Sequence, residues 1–336
     1  MSALRMLAFF CAAMLALPAW AQDQASTATP KQIRVIVSTQ AGGDYDLWMR
    51  LIAPYIARYL PGSPPLIVQN MPGGGSLVAT NYLYNVAPRD GSTIGMIGRN
   101  LPFQAVMRDK AIRFDLTKFG WIGNPEVTNR VCAVHEDSQI KSARDLFDKQ
   151  ALVGGAGAGG ALSTIPLLLS KMLALKLKLV EGYEGPRDVL LAMERKELDG
   201  VCMSVTAIEN IRPGAMASGA IRVLFNMEPD AMSGSTVPSI FELTRSEEER
   251  QLLKLFSNGV LFGRPIVTPP GIPDDRLAAF KTAFEKAMQD QELQTKARQA
   301  GLEIGIVKGD TLHDLMIELM ATPEPIVQQM KQYLPQ

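Results

Sequence analysis

Apolar positions along the chain alternate between two periods. IRVIV (33–37) is a continuous β-branched run, which reads as a buried strand. Behind it Trp48, Leu51, Ile52, Tyr55, Ile56 and Tyr59 recur at spacings of 3 and 4, the stripe of an amphipathic helix with Asp46 as its expected cap. Pro54 lies inside that stripe and is expected to kink the helix or split off its last turn. LIVQN (66–70) is the next strand, and the turn MPGGG leads into a second helix over about 76–86. Asp90-Gly91 turns the chain into TIGMIG (93–98). The order βαβαβ predicts a parallel sheet with helices on its faces.

A second unit begins near Val131. Strands are predicted at VCAVH (131–135), ALVGG (151–155), LKLVEGY (177–183), DGVCMSV (199–205) and IRVLFN (221–226), with helices over 142–148, 160–174 and 186–196. Two amphipathic helices follow near the C-terminus. The first takes Asp274 as N-cap and carries Leu277, Phe280, Phe284, Ala287 and Met288 on one face. The second takes Asp310 as cap, with Leu312, Leu315, Met316 and Leu319 as its stripe. This order suggests one α/β lobe split by insertion of another: residues 31–130 and 259–336 form the first, 131–258 the second. Loops at the C-terminal ends of parallel strands then face each other across a cleft, where open α/β sheets bind ligands.

The N-terminus sets the compartment. Arg5 precedes the apolar run MLAFFCAAMLAL, then Pro18 and the small-x-small sequence Ala19-Trp20-Ala21. That is the pattern of a secretory signal peptide over 1–21, cleaved after Ala21. A run of about 12 apolar residues is too short to cross a ~30 Å hydrocarbon core. Cys11 raises the question of a lipoprotein, but the bulky Phe9-Phe10 before it does not suit lipidation. A soluble periplasmic protein is therefore expected. Removing the signal leaves Cys132 and Cys202, an even pair in an oxidising compartment that is expected to form a disulfide between two strand-like runs. The alternative is two buried thiols at separate sites.

Charge narrows the partners. Lys+Arg and Asp+Glu are both 34, and no basic run or basic helix is present, so a nucleic-acid partner is not expected. The two histidines, His135 and His313, stand at ligand spacing from no Cys or other His, which argues against zinc and leaves few candidates for a His-based triad.

Candidate chemistry lies in three glycine loops. Gly42 and Gly43 follow the first strand, Gly74 and Gly75 follow the second, and LVGGAGAGGALST (152–164) stands between strand and helix in the second unit. Each exposes helix N–H groups that suit an anion. In the last loop Gly155, Gly157 and Gly160 satisfy G-x-G-x-x-G, and Glu181 follows near the place of a ribose-binding acid. A dinucleotide fingerprint, however, opens the first βαβ unit of a domain. Here it lies behind a short strand of an inserted lobe, in an exported chain without an evident acid/base for hydride transfer.

The motifs AGG-x-x-D (41–46), QNMPGGGS (69–76), APRDGSTIG (87–95), the glycine turn at 155–160, EGYEG (181–185) and ELDG (197–200) resemble, in order, those of the Bug receptors, the extracytoplasmic solute receptors of tripartite tricarboxylate transporters. The resemblance covers nearly the whole mature chain. It implies an α/β, two-lobed periplasmic-binding-protein fold (type II, Venus flytrap) that closes on a small organic acid, with transporter membrane subunits as partners. It implies no enzyme activity and no cofactor, and the chain is expected to act as a monomer. A ligand-binding component that feeds a sensor is the alternative. In such receptors helix N-termini, backbone N–H groups, hydroxyls and water hold the ligand's carboxylates. The ligand-binding residues expected are Gly42, Gly43, Tyr45, Gly74, Gly75 and Ser76 from the first lobe, and Gly157, Ala158, Gly159 and Gly160 from the second. Tyr183 either donates its hydroxyl or forms an apolar wall, and Arg99 either enters the cleft or is a solvated strand-end arginine. The sequence departs from the family at Ala158, where a hydroxyl side chain is usual, and at Asp44 and Tyr45, where small polar residues are usual. Those departures leave the ligand's identity open.

Overall fold

The computed structural model describes residues 30–108, 110–126, 129–157, 161–228, 236–302 and 304–333. The expected signal peptide lies outside them. The chain opens with β1 (Ile33–Val37), α1 (Asp44–Tyr59), β2 (Leu66–Asn70), α2 (Leu77–Asn85), β3 (Thr93–Met96), α3 (Leu101–Val106) and β4 (Gly120–Asn124). It continues through β5 (Arg130–His135), β6 (Ala151–Gly154), α4 (Ala161–Leu173), β7 (Leu177–Val180), α5 (Pro186–Glu194), β8 (Gly200–Ser204), α6 (Val205–Ile211) and β9 (Ile221–Asn226). After α7 (Glu247–Leu261) come β10 (Ile266–Thr268), α8 (Asp274–Met288), α9 (Gln291–Gln299), β11 (Val307–Lys308), α10 (Gly309–Met320) and α11 (Glu324–Tyr333).

These strands form two sheets of mixed α/β architecture, ordered β11-β4-β10-β3-β1-β2 and β7-β6-β8-β5-β9. In the first, β1 runs parallel to β2 and β3. Because β10 is antiparallel to both β3 and β4, β4 points the same way as β3 and ends on the same edge. In the second, β6 is parallel to β7 and β8, while β5 is antiparallel to β8 and begins with Arg130 opposite Ser204. The chain thus leaves the first sheet, and enters the second, at the edge where the parallel strands end. It returns the same way: β9 finishes at Asn226 beside Val131, and β10 starts at Ile266 beside Met96.

Burial follows the strand period. Val131 and Ala133 of β5 pack with Val189, Met193 and Val201, whereas Cys132 and Val134 belong to the cluster on the opposite face. On one face of the first sheet Trp48, Met49, Ile52 and Ile56 of α1 meet Phe280, Phe284 and Met288 of α8 over Val35, Val37 and Ile94. Cys132 and Cys202 are bonded to each other, directly opposite in the β5–β8 ladder.

Local details differ from the sequence-based expectations. Asp46 is not the cap of α1: the N-cap is Gly43, and Asp46, two residues inside the helix, accepts the Gly42 N–H at 2.8 Å. Pro54 does not split off the last turn of α1, which continues to Tyr59. Pro54 is exposed, so the Arg50 carbonyl it cannot bond faces the solvent side. Asp274 and Asp310 sit just inside their helices, after Pro273 and Lys308 at the N-cap positions. The 142–148 segment forms only a 3-10 turn over Ala143–Phe147, closed by a capping box of Ser142 and Asp145.

Candidate functional site

In each sheet the edge where the parallel strands end carries the glycine loops and the crossings between sheets. Asn124, the last residue of β4, ties both crossings together. Its Oδ1 accepts the N–H of Arg264 at 2.8 Å and of Glu126 at 3.3 Å, and its Nδ2 donates to the Glu126 carbonyl at 2.6 Å. Gly263 lies flat on this amide, with φ +33° and no room for a Cβ, which would stand 2.5 Å from Asn124 Nδ2.

Arg264 anchors the same junction. Its side chain is 7 % exposed and forms ion pairs with Glu126 on the outgoing crossing and with Asp44 at the first turn of α1. The guanidinium stacks 5.2 Å from the Trp48 ring centre and 5.6 Å from that of Tyr45. Burial lowers its pKa, opposed by the hydrogen bond and charge of Asp44. A buried guanidinium without these carboxylates would be strongly disfavoured.

Two further arginines line the edge. Arg99, after β3, donates its N–H and its Nε to the Tyr45 hydroxyl at 3.1 and 3.2 Å, and its Nη2 stands 3.8 Å from Asp44. Arg130, the first residue of β5, has a buried Nε with no partner among the described residues. Burial, then the nearby charge of Arg99, pushes Arg130 down to about 10, against the pull of Glu228. Burial in turn pushes the Glu228 carboxyl up. Sequence reasoning weighed Arg99 but missed Arg130 and Arg264. Their signal is geometric, because it depends on which strand ends the fold brings together.

The residues expected to touch a ligand are distributed unevenly. Tyr45 is at the edge, but its hydroxyl is engaged: it accepts from Arg99 and donates to the Gly263 carbonyl at 3.3 Å. The Gly42 and Gly43 N–H groups are also taken, by Asp46 and by the Gln40 carbonyl at 3.2 Å. The donors that helix geometry leaves open at this end are the first-turn N–H groups of Asp44, Tyr45 and Asp46. Gly74 and Gly75 are exposed in a 3-10 turn with positive φ. Ser76 instead turns inward, its buried hydroxyl donating to Ser38 Oγ at 2.9 Å.

In the second sheet Gly157 donates its N–H to Glu181 Oε2 at 2.9 Å. Ala158, Gly159 and Gly160 lie outside the described residues. The Ser163 hydroxyl donates to the same Glu181 oxygen at 3.0 Å. Glu181 is therefore not placed as a ribose-binding acid; its carboxylate sits on the loop where a dinucleotide's phosphates would need to go. Tyr183 packs against the apolar cluster of β5, β8 and α5. Among the described residues no group of three or more His, Cys, Asp or Glu is placed to hold a metal ion. No described helix is long and apolar enough to cross a membrane.

No family model matches the chain. A curated relative, the UPF0065 protein in the gbd 5' region of Cupriavidus necator, is 26 % identical over 278 residues, covering 80 % of this chain and 78 % of the relative. A TctC solute binding protein from Polaromonas, solved without ligand, matches with a TM-score of 0.70 at 16 % identity, over 90 % of this chain and 98 % of its own. MatC from Rhodopseudomonas palustris, with bound malate, matches at 0.54 with 18 % identity, over 88 % and 98 %. The periplasmic binding protein BugD matches at 0.53 with 17 % identity, over 91 % and 98 %. The structural neighbours are thus TctC and BugD solute-binding proteins, the group whose motifs the glycine loops resemble. The fold is that of the type II periplasmic binding proteins.

Proposed function

We propose that this chain is a periplasmic receptor that captures a small organic acid between two lobes and hands it to the membrane subunits of a tripartite tricarboxylate transporter. In this reading residues 1–21 are the cleaved signal peptide, 31–130 and 259–336 form the first lobe, and 131–258 the second. The observation that carries the proposal is that both crossings between the sheets run at the edges where the parallel strands end, with Arg99 and Arg130 there and a buried Arg130 Nε that has no partner among the described residues. The malate held by MatC supports a carboxylate as the ligand class.

Capture then follows from charge and hinge geometry. A carboxylate entering the gap meets the Arg99 and Arg130 guanidiniums and the first-turn N–H groups of α1. Each charge-assisted hydrogen bond contributes roughly 1.5–3 kcal/mol, and closure about the two crossings brings the second edge over the ligand. Asn124, Gly263 and Arg264 hold those crossings side by side, so the lobes move about one fixed line.

A thermal-shift and calorimetric panel of mono-, di- and tricarboxylates tests the reading. A ligand at 100 times its Kd should add about 2.7 kcal/mol of stability. Arg99→Ala should weaken binding by roughly 10- to 100-fold through the lost charge-assisted contact. A panel in which no acid raises the melting temperature would refute the receptor reading. Undiminished affinity in Arg99→Ala would remove Arg99 from the site.

A further inference from the structure

The glycine loop after β6 carries its own anion. Glu181, just beyond β7, accepts from the Gly157 N–H at 2.9 Å and from the Ser163 hydroxyl at 3.0 Å through a single oxygen, Oε2. The fit extends to Gly155. A Cβ there would lie 2.7 Å from Glu181 Oε2 and 2.6 Å from Ser163 Oγ, so the absence of a side chain lets the carboxylate settle on the loop. The Gly157 N–H and the Ser163 hydroxyl are therefore satisfied from within the chain, by a carboxylate.

The junction between the two sheets, where β5 begins, carries cations. Arg264 is consumed by Asp44 and Glu126, but Arg99 is 31 % exposed and reaches Asp44 only at 3.8 Å. Arg130 has a buried Nε with no partner among the described residues. A ligand spanning the gap thus meets cations at one end and a carboxylate at the other. In the second sheet β6 stands two strand spacings from β5, roughly 10 Å, which is within the span of a four- to six-carbon acid and its contacts.

We propose that Glu181 makes this receptor selective for singly charged organic acids. The ligand's one carboxylate binds on the Arg99 and Arg130 side, and its far end, facing Glu181, is uncharged or cationic. This deepens the receptor reading above and rests on it. A dicarboxylate that reached from the arginines at the junction to this loop would set its second carboxylate against Glu181, a like charge that already holds the Gly157 and Ser163 donors.

Calorimetry at pH 7 with matched acids decides the matter: butyrate against succinate, hexanoate against adipate, benzoate against terephthalate. Wild type should prefer a monoanion over its matched dianion by about tenfold or more, the scale of one charge-assisted contact. That preference should shrink by about tenfold in Glu181→Ala, which frees the Gly157 and Ser163 donors for the second carboxylate. Glu181→Gln keeps an acceptor on the loop while dropping the charge, and should shrink the preference as well. A wild-type protein that binds a dianion at least as tightly as its matched monoanion overturns the role of Glu181 and leaves the receptor reading standing. A preference that persists unaltered in both variants overturns it equally. Failure of every acid to bind overturns both.

Discussion

Replacing Asp46 by Asn removes the charge from a carboxylate that is 2 % exposed and bonded on both oxygens. Oδ2 accepts from the Gly42 N–H at 2.8 Å and from Arg50 Nε at 2.9 Å. Oδ1 accepts from Asn70 Nδ2 at 2.9 Å and again from Arg50 Nε at 3.0 Å. The Arg50 bond, helped by Gly42 and Asn70, outweighs burial and holds the carboxyl at about 2 instead of 3.8. A depression of that size is worth about 2 kcal/mol of folding stability. The folded pKa is below the unfolded one, so the contribution is complete above about pH 5 and fades as pH falls through 3.8 toward 2. Urea unfolding of wild type and Asp46→Asn from pH 6 down to pH 2.5 measures it. All other carboxylates are common to both proteins, so their titration largely cancels in the difference. The stability gap should be at least about 2 kcal/mol at pH 6, since the new amide also points donors at Gly42 or Arg50, and should narrow by most of that amount at the acid end. A gap that stays constant across the series would show that the Arg50, Gly42 and Asn70 bonds do not favour the ionised form, and the account of this loop would fail.

Two further perturbations reach different parts of the fold. Reducing the Cys132–Cys202 bond, which joins residues 70 apart, should lower stability in urea by about 4 kcal/mol on loop-entropy grounds, and a loss under about 1 kcal/mol would count against that origin. Because both cysteines are buried inside the second sheet, ligand affinity of the still-folded protein should change far less than its stability. Arg264→Ala should cost about 2–4 kcal/mol in thermal unfolding, toward the lower end of a buried pair because Asp44 is half-exposed, and an unchanged melting temperature would sink the proposed pinning of the crossings.

What could be read from the sequence was set by element length and regularity. The first βαβαβ unit announced itself because β1 is an unbroken β-branched run and α1 keeps its stripe over 16 residues. β10 has three residues and β11 two, too few to establish any period. β4 reads GWIGN, where two glycines dilute the strand signal, although Gly123 is there to admit Phe284, whose ring would stand 2.2 Å from a Cβ. These short strands complete the first sheet after the chain has built the second, so their partners are remote in sequence. The misplaced caps have a local cause: with Asp at both 44 and 46, composition alone cannot say which turn the helix starts on.

The candidate site was harder to read for a related reason. A glycine loop before a helix advertises free N–H donors, but its sequence does not say which acceptor the fold delivers to them. Gly157 meets Glu181 from 24 residues away, the Tyr45 hydroxyl meets Arg99 from 54, and Asp44 meets Arg264 from 220. A loop open to a phosphate and a loop closed by its own glutamate are written with the same glycines. The spacing of Glu181 does not separate the roles either, because it suits a ribose contact as well as a loop contact. Distance decides between them: at 2.9 Å from the Gly157 N–H, the carboxylate occupies the anion position itself. Anion-binding motifs in a chain of balanced charge therefore have to be weighed against every acid the topology can bring to them, and in this fold the second-sheet loop has already received one.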